Sequence, residues 1–228
     1  MIVVYTAVFG GSDSLKKAPP ADRSVCYTDD RKLAGNGWEI VRREAQKPRR
    51  AARIVKMTPD QLFPEAAASI WVDGSIEIRD WPALLRDIGD AEIACLAHPD
   101  RSNCYDEGET VIRLKIAHAL GKSQIRAALA KYRAEGFAPT ALSTTGLFYR
   151  RHTPKVAAFN RRWSGELDRY GTNDQVHVDY CAWKSGIFVR YLRGHYRDNP
   201  YAVYDRVDHH RRRKPQFLPE KECEHYLA

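Results

Sequence analysis

The chain has 228 residues, 43% of them hydrophobic and 29% charged, which fits one folded domain with length for a short appendage and excludes a disordered chain. A formal charge of +8 and a pI near 9.3 favour polyanions, anionic surfaces or phosphorylated small molecules without choosing among them. Contact with a membrane surface stays open, as does the oligomeric state.

The opening run "MIVVYTAVFGG" carries no basic leader and is too short for a signal core or a membrane span, so it reads as a first buried strand of a cytoplasmic protein. The five cysteines are odd in number and contain no C-x-x-C pair, which fits a reducing compartment. Ile2 to Phe9 predicts a strand running into the loop Gly10 to Asp13. Ser24 to Thr28 predicts a second strand ending at Asp29-Asp30, and Trp38 to Val41 a third. Pro48 to Met57 favours a helix with proline in its first turn, where the missing N–H costs nothing. Ser69 to Val72 is the next strand, and it delivers Asp73 and Gly74.

A helix at Ala83 to Ile88 and a strand at Glu92 to Ala97 follow. Helices around Tyr105–Leu120 and Ser123–Glu135 precede a strand near Leu142–Tyr149. A helix around Val156–Asp168 leads to "GTNDQ", with Asp174 near the start of another helix, and Ile187 to Leu192 reads as a last strand. This alternation predicts an α/β domain over residues 1–195 with a central, mostly parallel mixed sheet flanked by helices. Residues 196–228, with "HHRRRKP" among them, read as a basic, His-rich C-terminal extension.

In such a sheet, ligands bind outside the carboxyl ends of the strands. Asp29-Asp30, Asp73-Gly74 and His98 to Arg101 all follow strands directly. Asp-Gly is also the commonest hairpin turn, so Asp73 has a purely structural reading. Arg49, Arg53 and Lys56 are spaced to lie along one helical face. No acid in that helix offsets them; a diphosphate would, and so would plain solvation.

"VYTAVFGGSD", "CYTDD", "RRAARIVKMTPDQLFPE", "SIWVDGSIEI", "AHPDRSNCYDEGE", "LFYRRH" and "NDQ" stand in an order that resembles a glycosyltransferase-like family. That family, long known only as a domain of unknown function, includes plant mucilage-related hexosyltransferases and bacterial proteins, and it looks like a branch of the GT-A fold. The resemblance covers roughly Ile2 to Tyr180. It implies transfer of a sugar from a nucleotide-sugar donor, a uridine diphosphate sugar, to a hydroxyl of a saccharide or glycoconjugate acceptor. Carried over residue by residue, Thr6 and Ala7 would meet the nucleoside and Asp29 the base or ribose. Arg53 and Lys56 would face the diphosphate. Asp73, with Gly74, takes the place of the acid-x-acid motif, though Ser75 stands where many GT-A enzymes have a second aspartate.

One carboxylate and a hydroxyl are a poor cage for manganese or magnesium, so a divalent cation would need a further ligand, for which His195 is a candidate. Asp174 matches the family's Asp-Gln, as the base that takes the acceptor proton, with Gln175 as its orienter. Asp174 could equally be a helix-start aspartate stabilised by the dipole. His98, Arg101, Glu107 and His152 would belong to donor- or acceptor-side loops. Arg101 and Glu107 also read as a structural ion pair, and His152 as a scaffold histidine.

Rival readings are a nucleic-acid-binding protein, a nucleotidyltransferase and a lectin-like relative without activity. The sequence lacks an RRM signature and a C₂H₂ pattern, so specific nucleic-acid binding is not expected. A nucleotidyltransferase would want two close carboxylates where Asp73-Gly74-Ser75 offers one.

Overall fold

Strands buried on both faces read as near-continuous apolar runs; such strands form the middle of a seven-stranded central sheet whose two edge strands are partly exposed. The described residues of this computed structural model are 1–11, 13–114, 119–171 and 173–204. In chain order the elements are β1 (Ile2–Val8), β2 (Arg23–Thr28), β3 (Glu39–Arg42), α1 (Pro48–Met57), α2 (Pro59–Leu62), β4 (Ala68–Val72), β5 (Ile76–Ile78) and α3 (Trp81–Ile88). There follow β6 (Ile93–Ala97), α4 (Cys104–Arg113), α5 (Ala119–Ala134), β7 (Ser143–Arg151), α6 (Pro154–Tyr170), α7 (Gln175–Lys184), β8 (Val189–His195) and β9 (Ala202–Tyr204).

The sheet order is β3-β2-β1-β4-β7-β6-β8. β7 runs against both of its neighbours, and every other adjacent pair is parallel. This is the α/β single domain with a mostly parallel mixed sheet that the alternation predicts. Alternation along β1 sends Val3, Tyr5 and Ala7 into a core beneath α1 and α4 to α7. Val4 and Val8 enter a second core covered by α3, β5 and residues near β9.

Caps set the helix starts. Asp80 accepts from the Ala83 N–H at the start of α3, and Thr153 from the Val156 N–H at the start of α6. Asn103 accepts from the N–H groups of Tyr105 and Asp106 at α4. The expected helix Tyr105–Leu120 is shorter: α4 ends at Arg113, and α5 already begins at Ala119.

A second difference concerns Ile76–Ile78. It makes no hairpin with β4 but pairs antiparallel with β9, as Ile76↔Tyr204 and Ile78↔Ala202. The first residues of the expected C-terminal extension therefore lie against the domain, with Tyr196 and Tyr201 buried. The rest of it, "HHRRRKP" included, lies outside the described residues. Among the described residues no helix is long and apolar enough to cross a membrane.

Candidate active site

Parallel strands place the ends of β1, β2, β4 and β6 on one rim of the sheet, and the antiparallel β7 brings its start there too. Lys56 sits in the last turn of α1. Helical side chains lean toward the helix N-terminus, so its amine climbs back to the rim. Lys56 Nζ donates to Thr145 Oγ1 at 2.8 Å and to Asp174 Oδ2 at 2.6 Å. The Thr145 hydroxyl donates to the same carboxylate oxygen at 2.9 Å. The side chains of Lys56 and Asp174 are only 6% and 14% exposed, so this ion pair is close to dry. The Lys56 amine also stands 5.5 Å from the centre of the Trp71 ring.

A buried arginine fixes that turn from below. Arg150 donates to the Lys56 carbonyl at 2.5 Å, to the Tyr5 hydroxyl oxygen and to Asn160 Oδ1. The Tyr5 hydroxyl donates to the same Lys56 carbonyl at 2.7 Å. These bonds satisfy a helix-terminal carbonyl that would otherwise lack a partner, and they set where Lys56 points.

Asp174 precedes α7, yet its side chain makes no cap bond; Asn173 Oδ1 accepts from the Gln175 N–H instead. Burial alone would raise the pKa of Asp174. The charges of Lys56 and Arg53, with the hydrogen bonds from Lys56 and Thr145, outweigh it and hold the carboxyl well below its usual range.

Asp73 ends β4 as expected. Its Oδ1 accepts from the Trp71 indole N–H at 2.6 Å, and its carbonyl accepts from the Ile76 N–H, which closes a turn that lifts β5 off the sheet. The close approach explains a glycine in β7: a Cβ at Gly146 would stand 2.9 Å from Asp73 Oδ2. Beside this lies an open cleft of about 280 Å³ lined by Gly11, Asp13, Asp30 and Asn36 at the ends of β1 and β2. Asp29 holds its edge by accepting from the Gly10 N–H at 2.8 Å.

On the other side of Asp174, Arg101 Nε meets Glu107 at 2.5 Å, with side chains 8% and 1% exposed. Glu107 Oε1 accepts from the Asn173 amide at 3.0 Å, which ties α4 to the loop that carries Asp174. Burial raises the pKa of Glu107 against the pull of Arg101. His98 is buried next to Arg101, its Nδ1 accepting from the N–H groups of Asp100 and Arg101.

A family model described as the TOD1/MUCI70 glycosyltransferase-like domain matches residues 21–191. The chain belongs to that family. It is similar to the probable hexosyltransferase MUCI70 of Arabidopsis thaliana, at 26% identity over 212 residues. The match takes in 77% of this chain and 36% of that relative, so the chain spans about a third of the relative's length.

Within this family domain, Asp29, Arg53, Lys56, Asp73, Gly74, His98, Arg101, Glu107 and Asp174 lie on or next to the rim. Thr6 and Ala7 are buried inside β1, short of its end, and the Thr6 hydroxyl has no hydrogen-bond partner among the described residues. Gln175 is buried too, and its amide reaches toward the Ser143 carbonyl at 3.5 Å rather than toward Asp174.

Two expected placements, His152 in the site and His195 beside Asp73, do not occur. His152 follows the antiparallel β7, so it lies at the opposite edge of the sheet, 3.0 Å from the Ser69 hydroxyl. Asp73 and His195 do not come together, because two strands separate β4 from β8, a span of roughly 14 Å. No three of His, Cys, Asp and Glu among the described residues converge to hold a metal ion. These residues alone make no cage for a divalent cation. Thr145 and Asn173 are site residues that the sequence reading misses.

Proposed function

We propose that this domain is a glycosyltransferase of GT-A type that moves a sugar from a uridine diphosphate sugar to a hydroxyl of a saccharide or glycoconjugate. The observation that carries the reading is the rim of a glycosyltransferase-like domain where Lys56 and Arg53 stand against Asp174, with Trp71 between Lys56 and Asp73. Arg53 and Lys56 take the diphosphate, as arginine and lysine do where charge-assisted hydrogen bonds to phosphate are wanted. The nucleoside lies in the cleft between Gly11 and Asn36, and Asp73 faces the sugar.

The acceptor oxygen attacks the anomeric carbon, the bond from that carbon to the diphosphate breaks, and uridine diphosphate leaves. The acceptor's proton passes to the Asp174 carboxylate. The charge of the leaving group rests on Arg53 and Lys56. A hexose is the first donor sugar to try, given the name of the plant relative. A reducing, cytoplasmic setting is supported by the buried free thiols of Cys26, Cys95, Cys104 and Cys181.

A thermal-shift panel of nucleotide sugars, with manganese and with EDTA, tests the reading. A ligand that binds the native state alone, at about a hundred times its Kd, adds roughly 2.7 kcal/mol of stability. A rise in Tm with uridine diphosphate sugars supports the proposal. No shift with any nucleotide or nucleotide sugar, while DNA or RNA binds at physiological salt, would reject it.

A further inference from the structure

We infer that Lys56 is a cation shared between two tasks: it neutralises Asp174 until a donor diphosphate takes it, so that donor arrival frees Asp174 to act on the acceptor. This rests on the transferase reading above and adds an order of events to it.

The geometry makes the two tasks compete. An ammonium is a compact charge with three donors, and Lys56 already gives one to Asp174 and one to Thr145. Its stem is rooted by the Arg150 and Tyr5 bonds to its carbonyl, so the amine can swing without α1 moving. A phosphate oxygen engaging this amine draws its charge away from Asp174 and adds a negative charge nearby. Both changes raise the proton affinity of the carboxylate.

The groups that face Asp174 point the same way. Lys56 and Arg53 on α1 favour its charged form. So does the Thr145 hydroxyl on β7. Glu107 on α4 feels the Asp174 charge through Asn173, and Trp163 on α6 binds the Asp174 carbonyl rather than the carboxylate. His177 lies one turn along α7 and is kept from charging by burial. The two cations are therefore what keeps Asp174 a weak base, and they are also the two groups a diphosphate would claim.

Reciprocity fixes the sign of the test. If the donor weakens the Lys56–Asp174 pair, removing the Asp174 charge must strengthen the donor. Calorimetry with UDP-glucose as the probe measures this on wild type and Asp174→Asn. The expected result is binding at least roughly tenfold tighter in Asp174→Asn, the size of one charge-assisted contact released from competition. Because that variant leaves Lys56 buried without its carboxylate, a second measurement on the wild type stands beside it. UDP-glucose binding near pH 5 in two buffers of different ionisation enthalpy should show net proton uptake, and its affinity should rise as the pH falls.

Unchanged or weaker binding by folded Asp174→Asn, or no proton uptake by wild type, would overturn the shared-cation inference and leave the transferase reading standing. No binding of UDP-glucose or any other nucleotide sugar to wild type would overturn both.

Discussion

Arg53 and Lys56 lie three residues apart on one helix, yet they should respond differently to truncation. Arg53 is half-buried at the rim and acts on Asp174 through its charge, so Arg53→Ala should cost less stability than Lys56→Ala and weaken a uridine diphosphate sugar by about 1.5–3 kcal/mol, roughly ten- to a hundredfold in Kd. Lys56→Ala strands the buried Asp174 carboxylate, a change that costs on the order of 3 kcal/mol of stability, besides its effect on the donor. Chemical denaturation next to calorimetry separates the two effects. Equal stability losses in both variants would show that the pair is not what holds Asp174. A helix-capping aspartate would be worth about 1 kcal/mol or less, so Asp174→Asn tests the same point from the other side. The site was partly legible at this scale. Asp73 after a strand and Lys56 on a basic helical face were both readable, but the pairing of Lys56 with Asp174 joins residues more than a hundred positions apart. Thr145 was hidden because a hydroxyl within an otherwise buried strand carries no signal of its own.

At the scale of elements, the direction of β7 decides what reaches the rim. Parallel strands bring their ends to one rim, whereas β7 runs the other way and carries His152 to the opposite edge. The same reversal puts Gly146 beside Asp73, so Gly146→Ala should push the Asp73 carboxylate aside. The displaced atoms are the end of a side chain, so the expected loss falls on donor affinity rather than on Tm. Asp73→Asn keeps an acceptor for the Trp71 indole and removes the charge, and the two variants should weaken the donor together. Wild-type affinity in both would return Asp73 to a turn residue. Asp179 ties α7 to β7 by accepting from the Ser143 hydroxyl and N–H. Burial lifts its pKa from 3.8 to about 6, despite those hydrogen bonds. A carboxyl whose folded pKa exceeds its unfolded one destabilises the fold as it ionises. The loss therefore accrues between about pH 4 and pH 6 and amounts to about 3 kcal/mol. Denaturation curves across that range should show the slope in wild type and lose it in Asp179→Asn; the same slope in both would assign it to another group. The long elements were legible because doubly buried strands and proline-started helices leave clear patterns. β5 and β9 were not, since three-residue strands have no period and their pairing spans most of the chain.

For the whole molecule, the charge of +8 attracts anions of many kinds and so cannot itself choose a function. What separates a site from a solvated surface is specificity that survives salt. Loose phosphate binding falls steeply with ionic strength, whereas contacts made by a buried lysine in a fixed geometry are screened far less. Calorimetric titration of uridine diphosphate sugars, UDP-glucose first, into wild type, Arg53→Ala and Lys56→Ala at physiological salt therefore tests the central claim most directly. The account predicts saturable binding to wild type and at least roughly tenfold weaker binding to each variant. Equal affinity in all three proteins, or no binding by wild type where DNA or RNA of matched charge does bind, would contradict it.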